Sequence, residues 1–172
     1  MTAPSASSLL ERATQQLDLK NTAEAERICR EALRLDPWLA DAHLQLATVL
    51  QAADRKTEAI AALTTMTKAL PQDVRGYRRL GAAHQDMQGY GAATAAYLQA
   101  VKLPGADHDD LKRLAACQSL AGLTVDAAQT LTALTRLEPD AAEHPYNLSQ
   151  LMTKLGNADA ARTAIRKACQ LL

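Results

Sequence analysis

Phenylalanine is absent from this chain of 172 residues, and aromatic residues of all kinds make up 3% of it. A sequence so poor in aromatics, yet 48% hydrophobic, must build its core largely from alanine and leucine, both strong helix formers. That apolar content excludes wholesale disorder. Neither sign of charge is in surplus, since 19 Lys and Arg balance 19 Asp and Glu. A general polyanion binder carries a clear basic excess, so the balance argues against nucleic acid as a partner. No apolar run approaches the ~18 residues of a membrane span. The opening MTAPSASSLL has neither the basic start nor the apolar stretch of a secretory signal. The three cysteines, Cys29, Cys117 and Cys169, are too few and too scattered for a disulfide framework. The expectation is a cytoplasmic protein with no membrane contact.

Chemistry-bearing motifs are missing as well. The histidines His43, His84, His108 and His144 show no HExxH spacing and no cysteine at zinc-site distance. There is no nucleophile elbow and no Gly-rich phosphate loop. No catalytic residue, cofactor or metal is therefore expected. Asn147-Leu148-Ser149 matches the glycosylation triplet, a chance match in a chain without a signal peptide.

What the sequence does have is a period. Pro37 and Pro71 are 34 residues apart, Pro139 lies 68 further on, and Gly105 occupies the midpoint. With Pro37 set at position 32, the units are 6–39, 40–73, 74–107, 108–141 and 142–172, after a tail of residues 1–5. Position 20 is then Ala25, Ala59, Ala93, Ala127 and Ala161. Position 8 is small throughout: Ala13, Ala47, Gly81, Ala115 and Ser149. Position 7 is Arg12 and then Leu46, Leu80, Leu114 and Leu148. Positions 4, 7, 8 and 11 form one stripe of a first helix, and 20, 24, 27 and 28 a stripe of a second. Small residues at 8 and 20 let the two helices approach closely. Loop formers stand between them, and the proline ends the second helix because the residue before it is pushed out of the α region. Cys29 and Cys169 fall on core positions 24 and 28, so both are expected to pack as small apolar side chains.

These residues resemble the tetratricopeptide repeat (TPR) family, whose marks are the 34-residue period, a small residue at position 8, alanine at 20 and proline at 32. The resemblance covers residues 6–172. It implies an all-α, right-handed α-solenoid of about ten helices arranged as helix-turn-helix hairpins. It also implies a concave groove, lined by the first helices, that binds a partner protein without chemistry of its own. Two departures stand out: Arg12 replaces the usual leucine, and position 4, often Trp, holds Leu9, His43, Tyr77, Leu111 and Pro145.

Groove-facing positions should be 2, 5, 6, 9, 12 and 13, offset from the core stripe by about half a helix. They place Arg75, Arg78, Arg79, Lys112 and Arg113 together on one expected inner wall, with Gln45, Tyr146 and Asn147 further along the groove. Arginine forks suit carboxylate or phosphate oxygens. The ligand reading is an acidic or carboxylate-bearing peptide; the competing one is that Asp41, Asp109 and Asp110 neutralise the wall from within. Some TPR domains grip a C-terminal carboxylate with a clamp whose positions here hold Leu10, Thr14, Gln45, Arg75 and Arg79. The first two break that pattern.

Two further functions fit a chain that ends without a polar capping helix. It would be the N-terminal substrate-recognition arm of a larger sulfotransferase-like or glycosyltransferase-like enzyme, or it would self-associate through its last helix.

Overall fold

The computed structural model describes residues 5–172; of the expected tail, residues 1–4 lie outside the described residues. Ten α-helices and no strands are found among the described residues. They divide into two compact units, Met1–Met87 and Gln88–Leu172.

The first unit holds α1 (Ala6–Asp18), α2 (Thr22–Leu35), α3 (Ala40–Ala52), α4 (Lys56–Ala69) and α5 (Val74–Asp86). Each packs chiefly on the next in sequence, and α3 also touches α1 and α5. The core runs through Leu9, Ala13, Ala25, Ile28, Cys29, Ala32, Leu46 and Leu50. A smaller cluster joins Ala47, Leu63 and Ala83. At position 8, Ala13, Ala47 and Gly81 are all buried. Arg12 is exposed, as expected for the one charged residue in the leucine column. Gly76 is buried against α4: a Cβ there would lie 3.2 Å from Thr67 Cγ2 and 3.3 Å from Met66 Sδ.

The second unit holds α6 (Tyr90–Ala100), α7 (His108–Leu120), α8 (Thr124–Leu137), α9 (Glu143–Lys154) and α10 (Ala158–Gln170), again packed in sequence order. One cluster gathers Ala115, Ala127, Leu131, Leu134 and Leu151. Another gathers Ala93, Tyr97, Leu114 and Cys117. A fully buried Leu contributes about 1.5–3 kcal/mol, so these small clusters, repeated hairpin after hairpin, carry the fold.

Turns repeat as strictly as helices. Lys20, Asp54, Gln88, Gly122 and Gly156 all have positive φ, at intervals of 34 residues. In four of the five, the next amide closes a six-residue loop, as in Asn21 N to Gln16 O (2.9 Å) and Leu123 N to Gln118 O (2.8 Å). This is the Schellman ending, in which a left-handed residue satisfies the last carbonyls of a helix. At the hairpin-to-hairpin turns, Asp36, Leu70 and Glu138 precede proline and have φ between −138° and −122°, outside the helix. No described helix is long and apolar enough to cross a membrane.

Candidate functional site

On the odd-numbered helices of the first unit, the polar side chains answer one another. Gln45 Nε2 on α3 donates to Thr14 Oγ1 at 2.6 Å and Leu10 O at 3.1 Å on α1. From α5, Arg79 Nη2 donates to Thr48 Oγ1 at 2.8 Å and Gln51 Oε1 at 3.1 Å on α3. Arg75 reaches Asp41 at 2.8 Å and its own helix cap, Asp73, at 2.8 Å. The Arg75 guanidinium holds the Asp73 carboxyl below its ordinary pKa, and Asp73 in return raises that of Arg75. Arg78 is half-buried and also partnered. The row Gln45, Thr48 and Gln51 on α3 is therefore spent on neighbouring helices.

In the second unit, α7 and α9 border a cleft of about 350 Å³ whose floor includes Leu131 and Leu134 of α8. Lys112, Ala116, Ser119 and Leu120 form one wall; Glu143, Asn147, Gln150 and Lys154 form the other. These are the residue positions expected to face a groove. The side chains of Asn147 and Gln150 are exposed and make no hydrogen bond among the described residues. They occupy positions 6 and 9, the same motif positions as Gln45 and Thr48 on α3.

A single carboxylate, Glu138 at the end of α8, organises one rim of this cleft. Its Oε2 lies 2.6 Å from His144 Nε2 and 3.0 Å from Lys112 Nζ, and its Oε1 lies 3.0 Å from His108 Nδ1. His144 first, then Lys112, holds the Glu138 carboxyl at about 2. Glu138 raises the Lys112 ammonium in turn.

The five cations expected on one wall are thus three on α5 in the first unit and two on α7 in the second. Of the latter, Lys112 pairs with Glu138 and lies 3.7 Å from Asp109, while Arg113 is exposed. Asp110 is 1% exposed. It forms a reciprocal cap with Asp107 at the start of α7. Tyr146 is half exposed and stands outside the cleft lining. Sequence reasoning missed Asp73 and Glu138. Both sit in turns, one as a helix cap and one just before a proline, outside the helical columns that define a groove.

Two cysteines are inert by position. Burial pushes the Cys29 thiol up to about 11 and raises Cys117. Cys169, expected in the core, is instead exposed, because no described helix covers that face of α10. Among the described residues no group of His, Cys, Asp and Glu is arranged to hold a metal.

A model of the tetratricopeptide repeat matches residues 16–83. No curated protein matches the chain at a significant level. Several solved structures share its fold. YrrB, described as a TPR protein with an unusual peptide-binding site, has a TM-score of 0.75 at 20% identity, covering 96% of this chain and 86% of that one. MamA has a TM-score of 0.77 at 17% identity, covering 96% and 91%. The 41-end form of MamA from Desulfovibrio magneticus RS-1 has a TM-score of 0.73 at 16% identity, covering 99% and 97%. At these identities the likeness is one of fold.

Proposed function

We infer, from the premise that this chain is a tetratricopeptide-repeat protein, that it is a non-catalytic interaction module whose α7–α9 cleft takes an extended segment of a partner protein. The observation that carries this reading is a contrast between equivalent rows. On α3 the polar side chains at positions 6 and 9 are tied to α1 and α5. On α9 the amides of Asn147 and Gln150 are open and border a cleft with an apolar floor. An extended backbone offers alternating N–H and C=O groups, and a carboxamide can pair with both. A small apolar side chain would enter between Ala116, Leu120 and Leu151. Lys154, which has no ion-pair partner among the described residues, would meet an acidic group of the ligand. YrrB's description as a peptide binder supports the same class of ligand.

The reading gives the first-unit arginines a structural role, since neighbouring side chains already answer Arg75 and Arg79. The test is selection of peptides from a displayed random library on the immobilised chain, followed by affinity measurement on variants. Replacing Asn147 and Gln150 together by alanine removes two direct hydrogen bonds, so selected peptides should bind ~10-fold or more weakly. Arg79→Ala should leave their affinity unchanged. The reverse pattern, loss with Arg79→Ala and none with the α9 pair, would return the site to the arginines and refute the cleft.

A further inference from the structure

The Glu138 cluster at the rim of the α7–α9 cleft is short of positive charge unless its histidines are protonated. Glu138, Glu143 and Asp109 each stand within ion-pair distance of Lys112, His108 or His144. Lys112 is the only one of those three partners that is a permanent cation. With both imidazoles neutral, three acids face one ammonium and two negative charges are left over. With both protonated, the cluster is neutral. Histidine is the side chain that ordinarily changes charge between pH 5 and 8.

The bond geometry favours protonation of His144 in particular. An ionised carboxylate only accepts hydrogen bonds, and the Glu138 carboxyl, held at about 2, stays ionised near neutral pH. Both ring nitrogens that face it therefore carry hydrogen: His144 Nε2 donates at 2.6 Å and His108 Nδ1 at 3.0 Å. A neutral imidazole has a single N–H. In neutral His144 the other nitrogen, Nδ1, turns a bare lone pair toward Glu143 Oε1, 3.6 Å away. Only the imidazolium answers both carboxylates. His144 is 2% exposed, so these two partners, more than water, set its charge. The neighbouring helices add little. From α10, Lys167 Nζ approaches Thr135 O at 3.5 Å, one turn before Glu138. The other neighbour of α7, α6, contains no charged residue.

The cluster borders the ligand's path, because Lys112, Glu143 and His144 all line the cleft. While the histidines are neutral, Glu138 holds the Lys112 ammonium and the surplus negative charge repels an acidic ligand. Once imidazolium groups answer Glu138, the surplus is gone and Lys112 is free to turn toward the cleft. On the reading that this cleft takes an extended segment of a partner, we propose that His144 and His108 form a proton switch that selects the ligand's charge. Acidic segments are taken in mildly acidic solution, and neutral or basic ones in mildly alkaline solution.

The test pans one displayed peptide library, built without histidine, on the immobilised chain at about pH 5.5 and about pH 8, where Asp, Glu, Lys and Arg in the peptides keep their charge. Peptides enriched at the lower pH should carry more Asp and Glu. An acidic peptide from that set should bind roughly 5-fold tighter at the lower pH. Its binding at intermediate pH should take up protons, read by calorimetry in two buffers of different ionisation enthalpy. That readout needs no variant. In the double variant, His144→Gln and His108→Asn each keep a neutral N–H donor close to where the ring nitrogen stood. Its circular dichroism should be unchanged and its affinity for the peptide should no longer depend on pH. The same peptide composition at both pH values, or an affinity that does not move with pH, would overturn the switch and leave the cleft standing. So would pH dependence that persists in the folded double variant, which would assign it to His43 or His84. Enrichment at neither pH would refute the cleft itself, and the switch with it.

Discussion

Asp41 and Arg75 stand one repeat apart at the same motif position, on α3 and α5, with Oδ1 and Nη1 separated by 2.8 Å. The 34-residue period thus sets opposite charges side by side on successive first helices. This pairing is one reason the basic character of the third repeat does not make a free basic surface.

Both partners are about half exposed, so their coupling should be small. A double-mutant cycle with Asp41→Ala and Arg75→Ala, read by urea unfolding, should give about 0.2–1 kcal/mol. It should shrink in 1 M salt, where the screening length falls to about 3 Å. A coupling of zero at low salt would mean that Asp73 alone answers Arg75.

Glu138 predicts an acid response of defined sign. Its folded carboxyl titrates at about 2, below an ordinary 4.5. The unfolded chain therefore binds the proton first as pH falls, and stability drops between about pH 4.5 and pH 2. Above that window this contribution is fully present. Urea midpoints measured across pH 2–6 should show the drop, and Glu138→Gln should flatten it while lowering the plateau.

Glycine matters here for backbone conformation rather than for space. Gly122 has φ of +77° with nothing near its missing Cβ, whereas Gly91 lies in α6, also with open space around it. Gly122→Ala should cost about 1–2 kcal/mol through left-handed strain alone. Gly91→Ala should be neutral or add up to about 1 kcal/mol of helix stability. Thermal melts of the two single variants check both signs.

Gly76 tests the opposite case, a glycine required by contact. Its missing Cβ would already crowd Thr67 and Met66. A branched Gly76→Val should destabilise the first unit by about 2 kcal/mol, within the range for overpacking. Truncating Met66 to alanine in the same chain should recover part of that loss, which distinguishes crowding from poor helix propensity.

The fold was legible because a 34-residue period constrains geometry at every turn. Small residues at positions 8 and 20 announce close helix pairs, and Ala13, Ala47, Ala115, Ala25, Ala59 and Ala127 are all buried as that requires. The candidate site was only half legible. Lys112, Ser119, Asn147, Gln150 and Lys154, all from the groove-facing columns, line one cleft. The columns say nothing of who answers a charge, because the acids that do so include Asp73 and Glu138, which come from turns. Nor could sequence separate Gln45 from Asn147. Both are carboxamides at position 6, and only the neighbouring helix decides whether the amide is consumed, as Thr14 consumes that of Gln45. Cys169 misled for a related reason: a core position is buried only where something lies on top of it.

The left-handed turn residues carry one more consequence. Their spacing never varies, yet their identities do: Lys20, Asp54 and Gln88 stand where Gly122 and Gly156 would suit the backbone better. What the architecture conserves is the count of residues between turns, not the letters that fill them. A one-residue insertion in a hairpin would rotate every later side chain on its helix by about 100°, whereas an unfavourable letter costs only about 1–2 kcal/mol. Within this one chain, the five turns keep their spacing while their letters differ.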